Sequence, residues 1–442
     1  MKLFYLTNRD IDSRDIYSPI IKILKSERPK YQHRALSFYE PFYCKINSSK
    51  RLENDTGIKV LNPNMHCDLY DYTITEIKNY KPDIIITHND EPGIYQDIIN
   101  YCSENSIKVI IIHESPLPLI YLGLEEFITL NKKSHYYEKL LYNKIINFSD
   151  YSITRNFKQL LKSVLIKVKL KFLRKKYHYI QSDIVKPYYK TRGCSNADLH
   201  IVAGQYDKNN IEVIKEKSNS SIVVGGWLRS DQFFNEKILD KSEVMKLLGL
   251  NTNDKYVVLV CQSLSSSRIP TNTNPNDALI LAINLINKHK HSLHFIICIH
   301  PGEDINLYRK YFHDLPNTKI IDYFPDRLSL MEYSDFIVGF YSTLLFAAMI
   351  QNKIIITLDY VTKQFWYPFI LEYASVIPAL SRHSLESQIL KILKNDITLN
   401  YIFKNQNLLL NEVLNDPKGD ASRDISNIII NFIENECFCN NS

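Results

Sequence analysis

Phe295–Asp304 reads FIICIHPGED, and this stretch decides how the chain folds. An unbroken apolar run of strand length, bounded by turn residues, is what a strand needs when helices cover both of its faces in a parallel sheet. His300 ends the run, Pro301 fixes the backbone after it, and Gly302 permits a ligand to come close. Ligands of doubly wound sheets gather at the C-terminal edge of the strands, which makes His300, Pro301 and Gly302 candidate phosphate contacts. The plainer alternative is a turn that ends a strand.

Similar runs recur on both sides, with longer amphipathic stretches between them. They predict strands over Lys2–Leu6, Ile84–Thr87, Val109–His113, Leu199–Ala203 and Ser221–Val224 in the first half. In the second half the predicted strands are Tyr256–Cys261, Phe295–His300, Thr318–Ile321, Phe336–Gly339 and Lys353–Leu358. Strands alternating with helices give an α/β protein. A chain of 442 residues exceeds what one core usually organises, so two Rossmann-like lobes facing a cleft are expected. The charged, helical stretch Asp231–Asp254 marks the boundary and gives lobes of 1–240 and 241–442. Gly204, Gly225 and Gly226 follow predicted strands and read as turns facing the cleft.

Composition narrows the partners. A formal charge of +6 is small for this length, so no nucleic acid is expected, while an anionic substrate or a membrane surface fits. Eight cysteines are scattered, several inside apolar runs, which implies a reduced, cytoplasmic setting. The apolar run after Met1 is too short for a signal peptide, and no stretch approaches the roughly 20 apolar residues that span a bilayer. Asn156–Tyr177, NFKQLLKSVLIKVKLKFLRKKY, carries eight basic residues and no acidic one. Such a helix can lie on anionic lipid, giving a peripheral place on the inner face of the cytoplasmic membrane, or it can present a solvated basic face or line a cleft for an anionic acceptor.

A second motif repeats the logic of the first. Asp335–Gly339, DFIVG, runs into Phe340-Tyr341-Ser342-Thr343 and then the helical Leu344–Gln351. Hydroxyls and free N–H groups meet at a helix N-terminus, which suits phosphate; plain N-capping by Ser342 or Thr343 is the alternative. After the strand Tyr256–Cys261, the loop Gln262–Arg268 offers Ser266 and Arg268 to an anionic donor, or forms an ordinary surface loop. Asp326, in Phe324-Pro325-Asp326-Arg327, is a candidate for base or ribose, or for a turn entering a helix. Neither G-x-G-x-x-G nor a Walker A sequence occurs, which disfavours dehydrogenases and P-loop NTPases. With neither H-E-x-x-H nor paired C-x-x-C, no dedicated metal site and no cofactor are expected.

The order of these motifs over Tyr256–Tyr360 resembles the donor lobe of GT-B glycosyltransferases of bacterial surface polysaccharides. It is most similar to the His-Pro and Ser/Thr motifs of sialyltransferases and polysialyltransferases, and more loosely to Kdo transferases. The resemblance implies that His300, Ser342 and Thr343 hold the donor phosphate. It also implies an acidic motif in the first, acceptor-binding lobe, whose carboxylate deprotonates the acceptor. This chain has Asp90-Glu91-Pro92-Gly93, with Pro92 inserted before the glycine, and a second carboxylate in His113-Glu114-Ser115. Asp90, Glu91 and Glu114 are the candidate bases, in that order, with helix capping or plain solvent exposure as their alternatives. The implied function is transfer of a CMP-activated sugar (sialic acid, another nonulosonate or Kdo) to a glycan or glycolipid acceptor in capsule, lipopolysaccharide or O-antigen synthesis. The rivals are a CDP-glycerol-type glycerophosphotransferase, a nucleotide-sugar 2-epimerase and a non-catalytic nucleotide- or carbohydrate-binding protein.

Overall fold

Apolar residues alternate between the two faces of each strand in the first half, so both faces need a cover of helices. The computed structural model describes residues 1–7, 16–37, 48–62, 69–88, 94–113, 195–214, 220–235, 238–261, 274–289, 292–300, 304–340, 342–361, 370, 373–395 and 399–439. Its first sheet consists of β1 (Lys2–Thr7), β2 (Gln32–Ser37), β3 (Lys59–Leu61), β4 (Ile84–Thr87), β5 (Lys108–Ile112), β6 (Leu199–Val202) and β7 (Ser221–Val224). These strands are all parallel and lie in the order β3-β2-β1-β4-β5-β6-β7. Leu3 and Tyr5 face α1 (Ser18–Glu27) and α2 (Ser48–Thr56), while Phe4 and Leu6 face α3 (Leu69–Tyr80) and α4 (Ile94–Glu104). The chain continues from β6 through α5 (Gln205–Ile214) to β7.

From β7 the chain passes through a 3-10 turn at Leu228–Ser230, α6 (Asp231–Asn235) and α7 (Lys241–Leu248) into a second sheet. That sheet holds β8 (Lys255–Val260), β9 (Leu293–Cys298), β10 (Thr318–Ile321), β11 (Ile337–Gly339), β12 (Ile355–Thr357) and β13 (Ile377–Pro378). It too is wholly parallel, in the order β10-β9-β8-β11-β12-β13. The helices in this half of the chain are α8 (Pro275–His289), α9 (Ile305–Phe312), α10 (Arg327–Glu332), α11 (Leu344–Ile350), α12 (Arg382–Leu393), α13 (Leu399–Leu414) and α14 (Ala421–Cys439). Val257, Leu259, Phe295 and Ile297 pack on α8, and Tyr256, Val258, Val260 and Ile296 on α7, α10 and α11. No helix among the described residues is long and apolar enough to cross a membrane.

The two halves are wired together near the C-terminus. Ile425, Ile429, Ile430 and Ile433 of α14 belong to the core of the first sheet, and Arg28 Nη2 bonds Glu434 Oε1 at 2.6 Å. A sequence cut at 240 thus leaves α14 with the second half, although its apolar face packs on the first. On α13, Leu409, Leu410, Val413 and Leu414 share a core with Ala203 and Trp227. The glycines expected to face the cleft do something else. A Cβ on Gly204 would lie 2.4 Å from the backbone oxygens of Glu412 and Val413 on α13. One on Gly225 would meet Ile201 and Ile425, and Gly226 has φ +88 beside Ala421. Gly204 and Gly225 are glycines because α13 and α14 press against the strand ends, and Gly226 because its backbone is left-handed.

Candidate functional site

Parallel strands place their C-termini on one edge, and the register shows what collects there. Ile321, Cys298, Val260, Gly339 and Thr357 stand in one row across β10, β9, β8, β11 and β12. His300 lies two residues past Cys298 and Ser342 three past Gly339, so both emerge at this edge with β8 between them. Two strand spacings set their strand ends about 10 Å apart. The strand order reverses between β8 and β11, which is the switch point where a crevice opens in such sheets. Gly339 makes the close approach there possible, since a Cβ would lie 2.3 Å from Val260 O.

The side chains at this edge are not equivalent. His300 is exposed, and Asp304 caps α9 by accepting from Asn306 N at 2.9 Å. Ser342 Oγ accepts from Leu344 N at 3.3 Å, while Thr343, the N-cap of α11, makes no side-chain cap bond. Capping therefore engages Ser342 weakly and leaves the Thr343 hydroxyl out of the helix start.

Asp326 takes the second of its two expected places, the turn that enters a helix, as the N-cap of α10. It is 1% exposed; one carboxylate oxygen accepts from Ser329 N at 3.0 Å and the other from Leu239 N at 2.7 Å. Arg327 beside it bonds Gln232 Oε1 at 2.8 Å and stacks over the Phe233 ring at 5.0 Å. This pair fastens the segment between the sheets to α10. Pro301, Gly302, Ser266, Arg268, Asp90, Glu91, Glu114 and the basic stretch 156–177 lie outside the described residues.

Sequence reading missed polar groups at both edges. Thr357 donates to Asp359 at 2.8 Å, both fully buried, where β12 ends beside β11. In the first sheet β4 and β5 run directly into His88 and His113, which are 1% and 3% exposed. His113 Nε2 lies 3.2 Å from His200 Nδ1, with the rings stacked at 5.5 Å. The signal available was an apolar run closed by histidine, as in Phe295–His300, occurring three times. A cavity of about 360 Å³ lies elsewhere, lined by Tyr70 of α3 and by Ile94, Asp97, Asn100, Tyr101 and Glu104 of α4, with no strand-end residue. Among the described residues no group of three or more His, Cys, Asp or Glu is placed to hold a metal ion.

No protein-family model and no curated protein matches the sequence. Solved structures do match the fold along nearly the whole chain. The UDP-GlcNAc 2-epimerase of Neisseria meningitidis bound to UDP-GlcNAc is 12% identical with a TM-score of 0.58, covering 98% of this chain and 100% of that one. A glycosyltransferase from Rickettsia africae is 12% identical with a TM-score of 0.53, covering 97% and 98%. The wall teichoic acid polymerase TagF, soaked with CDPG, is 12% identical with a TM-score of 0.51, covering 99% and 89%. At these identities the likeness is one of fold, and the chain has the two-lobed α/β architecture, GT-B in arrangement, that these enzymes share.

Proposed function

We propose that this protein is a glycosyltransferase that binds the nucleotide of an activated sugar at the switch point of the second sheet. The observation that carries the reading is the emergence of His300 and Ser342 on either side of β8 at that edge. Phosphate charge is met there by imidazole, hydroxyl and the N–H groups that open α11. The first lobe receives a glycan or glycolipid hydroxyl, and Asp90, Glu91 or Glu114 takes its proton as the sugar is transferred. A CMP-linked donor rests on the motif resemblance. Association with an anionic membrane surface rests on the basic composition of 156–177, and flotation with anionic vesicles after lysine-to-glutamate changes in that stretch tests it.

One observation favours a second reading, epimerisation of a nucleotide sugar: the Neisseria epimerase matches 98% of this chain and is covered in full. The two reactions leave different traces. Inverting a C–H centre breaks that bond, so an epimerase incubated with UDP-GlcNAc in deuterated water incorporates deuterium into the sugar. A transferase releases nucleotide, and faster with acceptor. The decisive assay incubates the full chain with CMP-, CDP- and UDP-activated donors, with and without an acceptor glycan. Acceptor-stimulated release of CMP supports the reading; deuterium uptake without nucleotide release overturns it in favour of epimerisation.

A further inference from the structure

The first sheet also reverses its strand order at one point, between β1 and β4. Three groups meet there. Tyr17, just before α1, donates its hydroxyl to Leu6 O at 2.7 Å, and the Tyr17 Oη itself lies 3.0 Å from Nδ1 of His88. Leu6 is the penultimate residue of β1, and His88 is the first residue past β4. Tyr17 and Leu6 are fully buried and His88 is 1% exposed. The rings of Tyr17 and Tyr95 meet the imidazole edge-on at 5.9 and 5.8 Å, which fixes its plane.

The proton positions follow from donor and acceptor chemistry. A phenol has one proton, and a carbonyl oxygen only accepts, so the Tyr17 proton points to Leu6. The contact to His88 then requires the imidazole to donate Nδ1–H to the phenol oxygen. His88 in its neutral form is the Nδ1–H tautomer with its lone pair on Nε2. Protonation at Nε2 leaves this chain of bonds intact, because Nδ1 donates in both states.

We infer that His88 is a positioning residue for the proposed reaction. Through Tyr17 it ties the exit of β4 to the end of β1, the two walls of the first sheet's switch point, and it does so two residues before Asp90 in sequence. The inference rests on the reading that the first lobe supplies the base. It adds that the relay Nδ1–H to phenol to Leu6 carbonyl, and not a contact of His88 with substrate, is what that chemistry depends on.

Asparagine and glutamine separate the two ring nitrogens, since the asparagine amide reaches the place of Nδ1 and the glutamine amide that of Nε2. In the full chain, ¹⁵N NMR of the imidazole is expected to show the proton on Nδ1. His88→Asn is expected to keep turnover within about threefold of the parent. His88→Gln and Tyr17→Phe are expected to lower kcat at least tenfold, with KM for the donor unchanged, because the nucleotide sits on the other lobe. Amide exchange in the peptide containing His88 should rise at least fivefold in His88→Gln and Tyr17→Phe and stay near the parent rate in His88→Asn. An Nε2–H tautomer, equal damage from Asn and Gln, or unchanged exchange and kcat in Tyr17→Phe each overturn the inference. If the parent turns over none of the CMP-, CDP- or UDP-activated donors, the functional reading is what fails, and the tautomer and exchange results still decide whether the relay exists.

Discussion

The carboxylate of Asp231, in the segment leaving the first sheet, accepts the backbone N–H groups of Ala421 and Ser422 at 3.0 and 2.8 Å. Residues 190 positions apart thus share one cap at the start of α14. Burial pushes the Asp231 carboxyl up, and the two amides oppose that shift. Asp231→Ala leaves two donors at a helix start without their acceptor, and the expected loss is about 2 kcal/mol. Urea unfolding of Asp231→Ala and Asp231→Asn checks this, with the asparagine variant expected between parent and alanine.

The glycines at the strand ends differ in what they touch. Gly204→Ala and Gly339→Ala drive a Cβ into backbone, at 2.4 Å from Val413 O and 2.3 Å from Val260 O. Gly225→Ala meets the side chains of Ile201 and Ile425, which can turn aside. The first two are expected to cost about 2–3 kcal/mol and the third less, as overpacking does when backbone cannot yield. Thermal midpoints of the three variants rank them.

His33 is expected to make the folded chain sensitive to acid. Its Nδ1 lies 2.9 Å from Tyr5 Oη, and burial first, then Lys25, lowers its pKa to about 4. The unfolded chain binds this proton near pH 6.5 and the folded chain does not, so stability is full above that pH. It falls as pH drops from about 6.5 to about 4, by at most about 1.4 kcal/mol per pH unit. Comparing the parent with His33→Gln across this range should show a flatter profile in the variant.

At the second switch point, binding and folding should separate. His300→Ala and Ser342→Ala are each expected to weaken nucleotide binding about fivefold, the equivalent of about 1 kcal/mol, with little change in thermal midpoint. Asp326→Ala should do the reverse, because its carboxylate serves Ser329 and Leu239. Titration of CMP, CDP and UDP against each variant distinguishes the two patterns.

Burial raises the thiols of Cys102 and Cys298 to about 12. Thiolate is the form that alkylates, so neither should react with iodoacetamide at pH 8 in the folded protein. Mass spectrometry before and after urea reads this directly.

The alternation of strand and helix was legible in the residues alone, because an apolar run such as Phe295–Ile299 is stable only between two helical layers. So was the edge at which His300 and Ser342 emerge, since parallel strands send all their C-termini one way. Not legible there were β2, which opens on Gln32-His33-Arg34, and the short edge strands β3 and β13, whose stability comes from a neighbour's ladder more than from their own residues. That α14 packs on the first sheet, that Gly204 yields its space to α13, and that both Asp326 oxygens serve backbone amides is visible in the fold alone. Each depends on residues far apart in the chain meeting at one point. A carboxylate at a strand end reads the same from sequence whether it faces a crevice or two backbone amides.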